Sequence, residues 1–152
     1  MKFYYNLAQQ AFHVASLKAG DTFVIVVPLK EQPPEGCPQM HVWDIYSDFV
    51  RIGENLPDPI ICDIKLPYPV GSRVGLREAW MPIKAIRNWG IVDKVRVDKV
   101  QNLVVFEKNQ LGLDNYPINS MHGLSPWFNK RYGEGTWDKN PYCEIVTMRI
   151  EK

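Results

Sequence analysis

The chain has 152 residues, with 18 Lys and Arg against 17 Asp and Glu and a net charge of +1. That length fits a single domain, residues 1–152, and the hydrophobic share of 45% is ordinary for a packed core. The charge balance excludes a general electrostatic grip on duplex DNA, which needs a basic face over many phosphates; a local site for one nucleotide or a short single strand stays open. Cys37, Cys62 and Cys143 form an odd set without C-x-x-C spacing, which fits a reducing compartment and argues against a disulfide framework. His13, His41 and His122 are scattered and have no zinc-motif spacing, so no metal and no cofactor are expected. The start, Met-Lys-Phe-Tyr-Tyr-Asn, has no apolar signal core, and the longest apolar run, Phe23 to Val27, is too short for a bilayer. The expectation is a cytoplasmic protein without a membrane partner.

Taken in chain order, Asn6-Leu7-Ala8-Gln9 reads as a capping box. It predicts a helix from about Leu7 to Lys18 with Leu7, Ala11, Val14 and Ala15 inward, closed by Gly20. Thr22 to Val27 is β-branched or aromatic throughout and stops at Pro28, which predicts a strand apolar on both faces and hence central. Glu31 to Pro38, with three prolines and a glycine, predicts a loop. Met40 to Ile52 alternates imperfectly and fits either a hairpin or a short helix followed by a strand. Leu56-Pro57-Asp58-Pro59 predicts a turn, Ile60 to Ile64 a strand, and Leu66 to Val70 an extended segment set by its two prolines.

Gly71-Ser72-Arg73-Val74-Gly75-Leu76-Arg77-Glu78-Ala79-Trp80 is the stretch around which the rest is organised. Val74, Leu76 and Glu78 share one side of a strand, and Arg73, Gly75 and Arg77 the other. A carboxylate thus closes a core-facing row. An unpaired buried carboxylate is costly, so Glu78 is expected in an ion pair at a barrel rim or at the mouth of a cleft. Asn88-Trp89-Gly90 predicts a turn and Ile91 to Val100 a strand. The charges of that strand, Lys94, Arg96 and Asp98, face solvent or a phosphate. Leu103 to Phe106 continues as strand or short helix, and Asn109 to Gly123 as loop. Ser125-Pro126 predicts a helix N-terminus with Ser125 as the cap, running to about Tyr132 and ended by Gly133. Thr136 to Pro141 predicts a polar turn with Trp137 and Asn140, and Tyr142 to Ile150 the last strand, with Val146, Met148 and Ile150 on one face. Short strands at irregular spacing with helices near both ends predict an α+β fold, a small mixed β-barrel.

Three blocks together resemble the ASCH domain of the PUA-like superfamily, in the version encoded by phages and prophages and often labelled a morphogenetic protein. The family's Pro-Tyr segment and Gly-Asp-Arg-Leu-Trp-Val-Arg-Glu-Thr-Trp motif are matched by Pro67-Tyr68 and Gly71 to Trp80. Its Val-Arg-Val-Glu-Arg-Leu-Gln block resembles Val95 to Gln101. Its C-terminal Lys-Arg-Tyr-Gly and Trp-x-x-Asn-Pro-Trp runs resemble Lys130 to Gly133 and Trp137 to Tyr142. The blocks stand in the family order and cover most of residues 12–151. The resemblance implies a PUA-like pseudobarrel, with Arg73, Arg77, Glu78, Trp80, Trp137 and Asn140 around a ligand cleft and Lys130 and Arg131 as phosphate contacts. The family's Gly-x-Lys-x-x-Thr-Arg-Arg signature is not kept. Its lysine falls at Thr22, its threonine at Ile25 and its arginine pair at Val26-Val27. In relatives that hydrolyse acetylated cytidine, the lysine and threonine are implicated in the chemistry.

The reading is therefore a non-catalytic module of phage origin that binds a nucleotide, a modified base or a short RNA. In it Trp80 or Trp137 stacks a base, Arg73 or Arg77 holds phosphate, Asn140 reads a base edge and Glu78 accepts from an amine. A second reading is a phage counter-defence protein that binds and inhibits a host protein, favoured by the near-zero charge and by Trp43, Tyr46 and Trp89 in central loops. A third is a hydrolase with Glu78 as its catalytic carboxylate, which lacks a placed partner residue.

Overall fold

β-branched and aromatic side chains at alternate positions build most of the described chain. The computed structural model describes residues 3–6, 18–34, 40–77, 86, 88–109 and 124–151. The fold there is mixed α+β and strand-rich, with short helices. Its strands are β1 (Phe3–Asn6), β2 (Thr22–Pro28), β3 (Met40–Ile45), β4 (Phe49–Glu54), β5 (Ile61–Lys65), β6 (Arg73–Arg77), β7 (Asn88–Lys99) and β8 (Tyr142–Ile150). Its helices are α1 (Val105–Asn109), α2 (Ser125–Tyr132) and α3 (Thr136–Lys139). The predicted N-terminal helix lies outside the described residues except for its last position, and the predicted 109–123 loop except for its first. Glu78 and Trp80 lie outside them too.

A five-stranded sheet runs in the order β1-β6-β7-β8-β2, and a three-stranded sheet in the order β3-β4-β5. Only β1 and β6 pair in parallel; all other pairings are antiparallel. Tyr5 of β1 and Phe23 and Ile25 of β2 come from opposite edges of the larger sheet, yet they share one core cluster with Val74, Leu76, Val92, Val146, Met148 and Ile150. The sheet is therefore strongly curved, and this cluster fills its concave side. The convex side packs under α2, where Trp127 and Phe128 meet Val24, Val26, Cys143 and Ile145. The smaller sheet turns Val50, Ile52 and Ile64 onto Val97 and Tyr142.

Several sequence expectations change here. β2 is buried on both faces as expected, but it is an edge strand of the described sheet and not a central one: α2 covers its convex face and the concave core cluster the other. Met40 to Glu54 is a hairpin, with a bulge between Val42 and Asp44. Asn88-Trp89-Gly90 is the start of β7 and not a turn. Gly90 is a packing glycine, since a Cβ there would sit 3.1 Å from the Met148 sulfur. Leu103 to Phe106 leads into the short helix α1. α2 is capped by Leu124 and contains Ser125, one residue earlier than expected, and Gly133 closes it with a φ of 117°. The predicted polar turn at Thr136 is the one-turn helix α3.

Candidate functional site

Curvature brings the two edges of the larger sheet to one cleft of about 710 Å³. β1 contributes Phe3 and Tyr4, β2 contributes Val27 and Pro28, and the extended segment after β5 contributes Leu66, Pro67 and Tyr68. Tyr132 of α2 and Thr136 of α3 close the far wall, and the exposed side chains of Lys30, Glu31 and Lys65 bring charge to the lining.

A tyrosine cluster stiffens these walls. The Tyr68 hydroxyl donates to the Tyr4 carbonyl at 2.6 Å, and its ring packs at about 6 Å from Phe3 and Tyr5. The Tyr132 hydroxyl donates to the Val26 carbonyl and accepts from Arg131 Nε at 3.2 Å. Arg131 also lies over the Tyr5 ring, 4.4 Å from its centroid. One phenol thus ties α2 to the outer edge of β2, while its neighbour reaches β1. Burial raises the pKa of Tyr5, Tyr68 and Tyr132, so all three stay neutral donors at ordinary pH. Tyr4 also explains a glycine of the organising stretch: a Cβ at Gly75 would stand 2.8 Å from the Tyr4 ring and 3.1 Å from Trp89.

Beneath the cleft lies Glu144, on the concave face of β8 between Val27 of β2 and Val97 of β7. It is fully buried. Its Oε1 accepts the Tyr68 N–H at 2.7 Å, and its Oε2 has no hydrogen-bond partner among the described residues. Burial pushes its carboxyl up to about 8, against the weaker opposing pull of the Tyr68 N–H. Sequence reasoning missed this residue although the signal was present. Glu144 shares the parity of Val146, Met148 and Ile150, the same pattern that singled out Glu78.

The sequence-predicted residues do not gather at one point. Arg73 lies over the Trp89 ring at 4.1 Å and donates to Glu151 at 2.9 Å, at the start of β7. Arg77 ends β6, half-buried. Asn140, left-handed at φ 49°, accepts the Gln101 N–H at 2.9 Å just beyond the other end of β7. The length of β7 separates the two groups by roughly 30 Å. Trp137 packs edge-on against Phe128, 5.9 Å between centroids, as part of the convex core. Lys130 is exposed on α2; among the described candidates, Arg131 lies against the tyrosine cluster.

The charges of β7 do face solvent, with Lys94 exposed and the Arg96 and Asp98 side chains 38% and 31% open, and Arg96 is held there in a local network. Its guanidinium binds Glu107 at 2.6 and 2.8 Å and Asp98 at 2.7 Å. Of the three loop aromatics, Trp43 and Tyr46 are exposed, whereas Trp89 is half-buried under Arg73. On the outer face of the smaller sheet, Tyr46 stacks on Phe49 at 4.4 Å and Arg51 covers both rings. Arg51 is also forked onto Asp63. A second, more polar hollow of about 400 Å³ lies between β3 and β7, beside His41, Asp98, Lys99 and Asn102. No group of three His, Cys, Asp or Glu side chains among the described residues is placed to hold a metal ion. No described helix is long and apolar enough to cross a membrane.

Known proteins add nothing to this geometry: no family model, curated protein or solved structure matches the chain.

Proposed function

We propose that this chain is a non-catalytic, PUA-like binding module of phage origin that takes a nucleotide, a modified base or a short RNA in the tyrosine-walled cleft. The observation that carries the reading is the cleft itself. Its volume of about 710 Å³ is in the range of small-ligand sites, and the aromatic residues Phe3, Tyr68 and Tyr132 line it together with the edge of β1 at Tyr4, whose ring turns away onto Trp89. Flat aromatic walls favour a flat ring, and Lys30 and Lys65 supply cations for a phosphate. The curvature that brings β1 and β2 to one cleft fits the ASCH-type pseudobarrel implied by the sequence blocks. The missing signature lysine and threonine, at Thr22 and Ile25, support binding over hydrolysis.

Calorimetric titration with AMP, IMP, CMP, UMP and a six-nucleotide RNA tests this. At least one ligand is expected to bind, and Phe3→Ala to weaken it about tenfold or more, the loss of one stacked ring. The backbone carbonyl that holds Tyr68 survives that change. Absence of binding by all five ligands sinks the reading.

A second reading, inhibition of a host protein, is favoured by the outer face of the smaller sheet. There Trp43 and Tyr46 are exposed, and Arg51 is held by Asp63. On that reading a purified host partner loses affinity with Trp43→Ala plus Tyr46→Ala and keeps it with Phe3→Ala.

A further inference from the structure

We propose that Glu144 is the specificity-determining residue of the cleft, its Oε2 accepting an N–H from the leading edge of a flat, nitrogen-bearing ring. The inference rests on the nucleotide reading of the cleft and adds to it a preference for amino-bearing over keto-bearing bases.

The geometry starts from an imbalance. Tyr68 needs one acceptor, and Glu144 Oε1 supplies it. Pro67 and Pro69 have no N–H, so Tyr68 carries the sole main-chain donor of residues 67–69. A glutamine at 144 would meet that need equally, without a carboxyl in the core. The chain instead holds a side chain with a second oxygen, fully buried and without a partner among the described residues. Such an oxygen is expensive to leave unsatisfied, and it lies next to a cavity. The two residues that flank it, Val27 beside it in the sheet and Tyr68 above it, both wall the cleft.

Among the described residues no cation pairs with Glu144. Val27 faces it from β2, Val97 from β7, and the Tyr68 amide from the strap. Tyr132 and Arg131 act on Tyr68, one layer further out. The missing donor therefore has to arrive with the ligand. In the ligand-free form Glu144 is covered, so the ligand reaches Oε2 by displacing the Tyr68 ring. The ring is held there by its hydroxyl bond to the Tyr4 carbonyl and by packing on Phe3 and Tyr5, and the amide bond to Glu144 stays when the ring turns aside. An exocyclic amine donates to an ionised carboxylate, whereas a keto oxygen at the same position repels it and leaves only the adjacent ring N–H as a donor. Accepting the amine favours the ionised form, so binding at neutral pH releases the carboxyl proton to solvent.

The test uses the pairs AMP against IMP and CMP against UMP on the full chain, by calorimetry at pH 7 and pH 9 in buffers of different ionisation enthalpy. The amino member of each pair should bind about tenfold tighter at pH 9, and at pH 7 its binding should release a proton that the keto member's does not. Glu144→Gln keeps the acceptor for Tyr68 but puts an NH2 donor in the place of Oε2; it should bring the amino-to-keto ratio to one or below and abolish the proton release. If the variant does not fold, the wild-type proton release decides alone. Nucleotide binding without amino preference or proton release, or a preference unchanged in Glu144→Gln, overturns the inference and leaves the cleft reading standing. Failure of all four nucleotides to bind overturns the inference, and the cleft reading falls with it if the six-nucleotide RNA also fails to bind.

Discussion

Cys143 and Glu144 are neighbours on one strand, both fully buried, and they point to opposite faces of the curved sheet. Cys143 faces the convex side, where Trp127, Phe128, Val24, Val26 and Ile145 close over it. Burial pushes its thiol up to about 12, further from neutrality than its ordinary 9.0, so it stays uncharged at no cost. Glu144 faces the concave side, where the apolar row of Val146, Met148 and Ile150 gives way to a carboxyl beneath a cleft. Its shift from 4.5 to about 8 spans neutral pH, so the same desolvation carries a penalty there. One face of β8 is made for stability, and the other gives up stability at a single position beside a cavity.

The largest expected effect breaks the dry face. Trp127→Ala removes the largest fully buried side chain among the described residues, in contact with Phe128 and Tyr132, and should cost about 3–5 kcal/mol in urea unfolding. A loss below about 1 kcal/mol would mean that the convex side collapses around the hole and is not close-packed.

Next comes Glu144→Gln, which should stabilise. Between pH 4.5 and about 8 the folded carboxyl holds a proton that the unfolded one has released. Wild-type stability therefore falls as pH rises through that window, by up to about 1.4 kcal/mol per pH unit. Relative to wild type, the variant should gain about 2–3 kcal/mol at pH 7 and rather more at pH 8.5, with no gain near pH 4. Urea midpoints at these three pH values check it; a gain that does not depend on pH would show that the carboxyl is ionised in the fold throughout.

The same contrast explains what could be read from the chain. Strands β2, β5, β6 and β8 were legible because each repeats apolar side chains at strand spacing, which is a local property. The pairing partners of β2 were not. Burial on both faces reads the same whether a strand lies between two others or at an edge roofed by a helix, as Val24 and Val26 are under α2. The start of β7 was hidden because Asn88-Trp89-Gly90 has turn chemistry, while the reason for Gly90 is the Met148 sulfur opposite it. Arg73, Trp137 and Asn140 were legible as a set only through family order, and β7 holds them apart. Tyr4, Tyr68 and Tyr132 stand far apart in sequence and meet through curvature, which no local pattern encodes. Glu144 was legible by the rule applied to Glu78, since both interrupt an apolar row.

The smallest effect sharpens the assignment of the pH dependence to one group. Tyr68 touches Glu144 through its backbone and Tyr4 through its hydroxyl, so the two links can be cut separately. Tyr68→Phe removes the 2.6 Å bond to the Tyr4 carbonyl and keeps the ring against Phe3 and Tyr5 and the N–H on Glu144. One neutral hydrogen bond of this kind is worth about 1 kcal/mol. Burial raises the phenol's pKa far above neutrality, so it does not titrate between pH 5 and pH 8. The variant should therefore unfold about 1 kcal/mol more easily at every pH in that range, parallel to wild type. A Tyr68→Phe curve that flattens with pH, as Glu144→Gln should, would move the linked proton from the carboxyl to the phenol and remove the physical basis for treating Glu144 as the group that distinguishes the two faces.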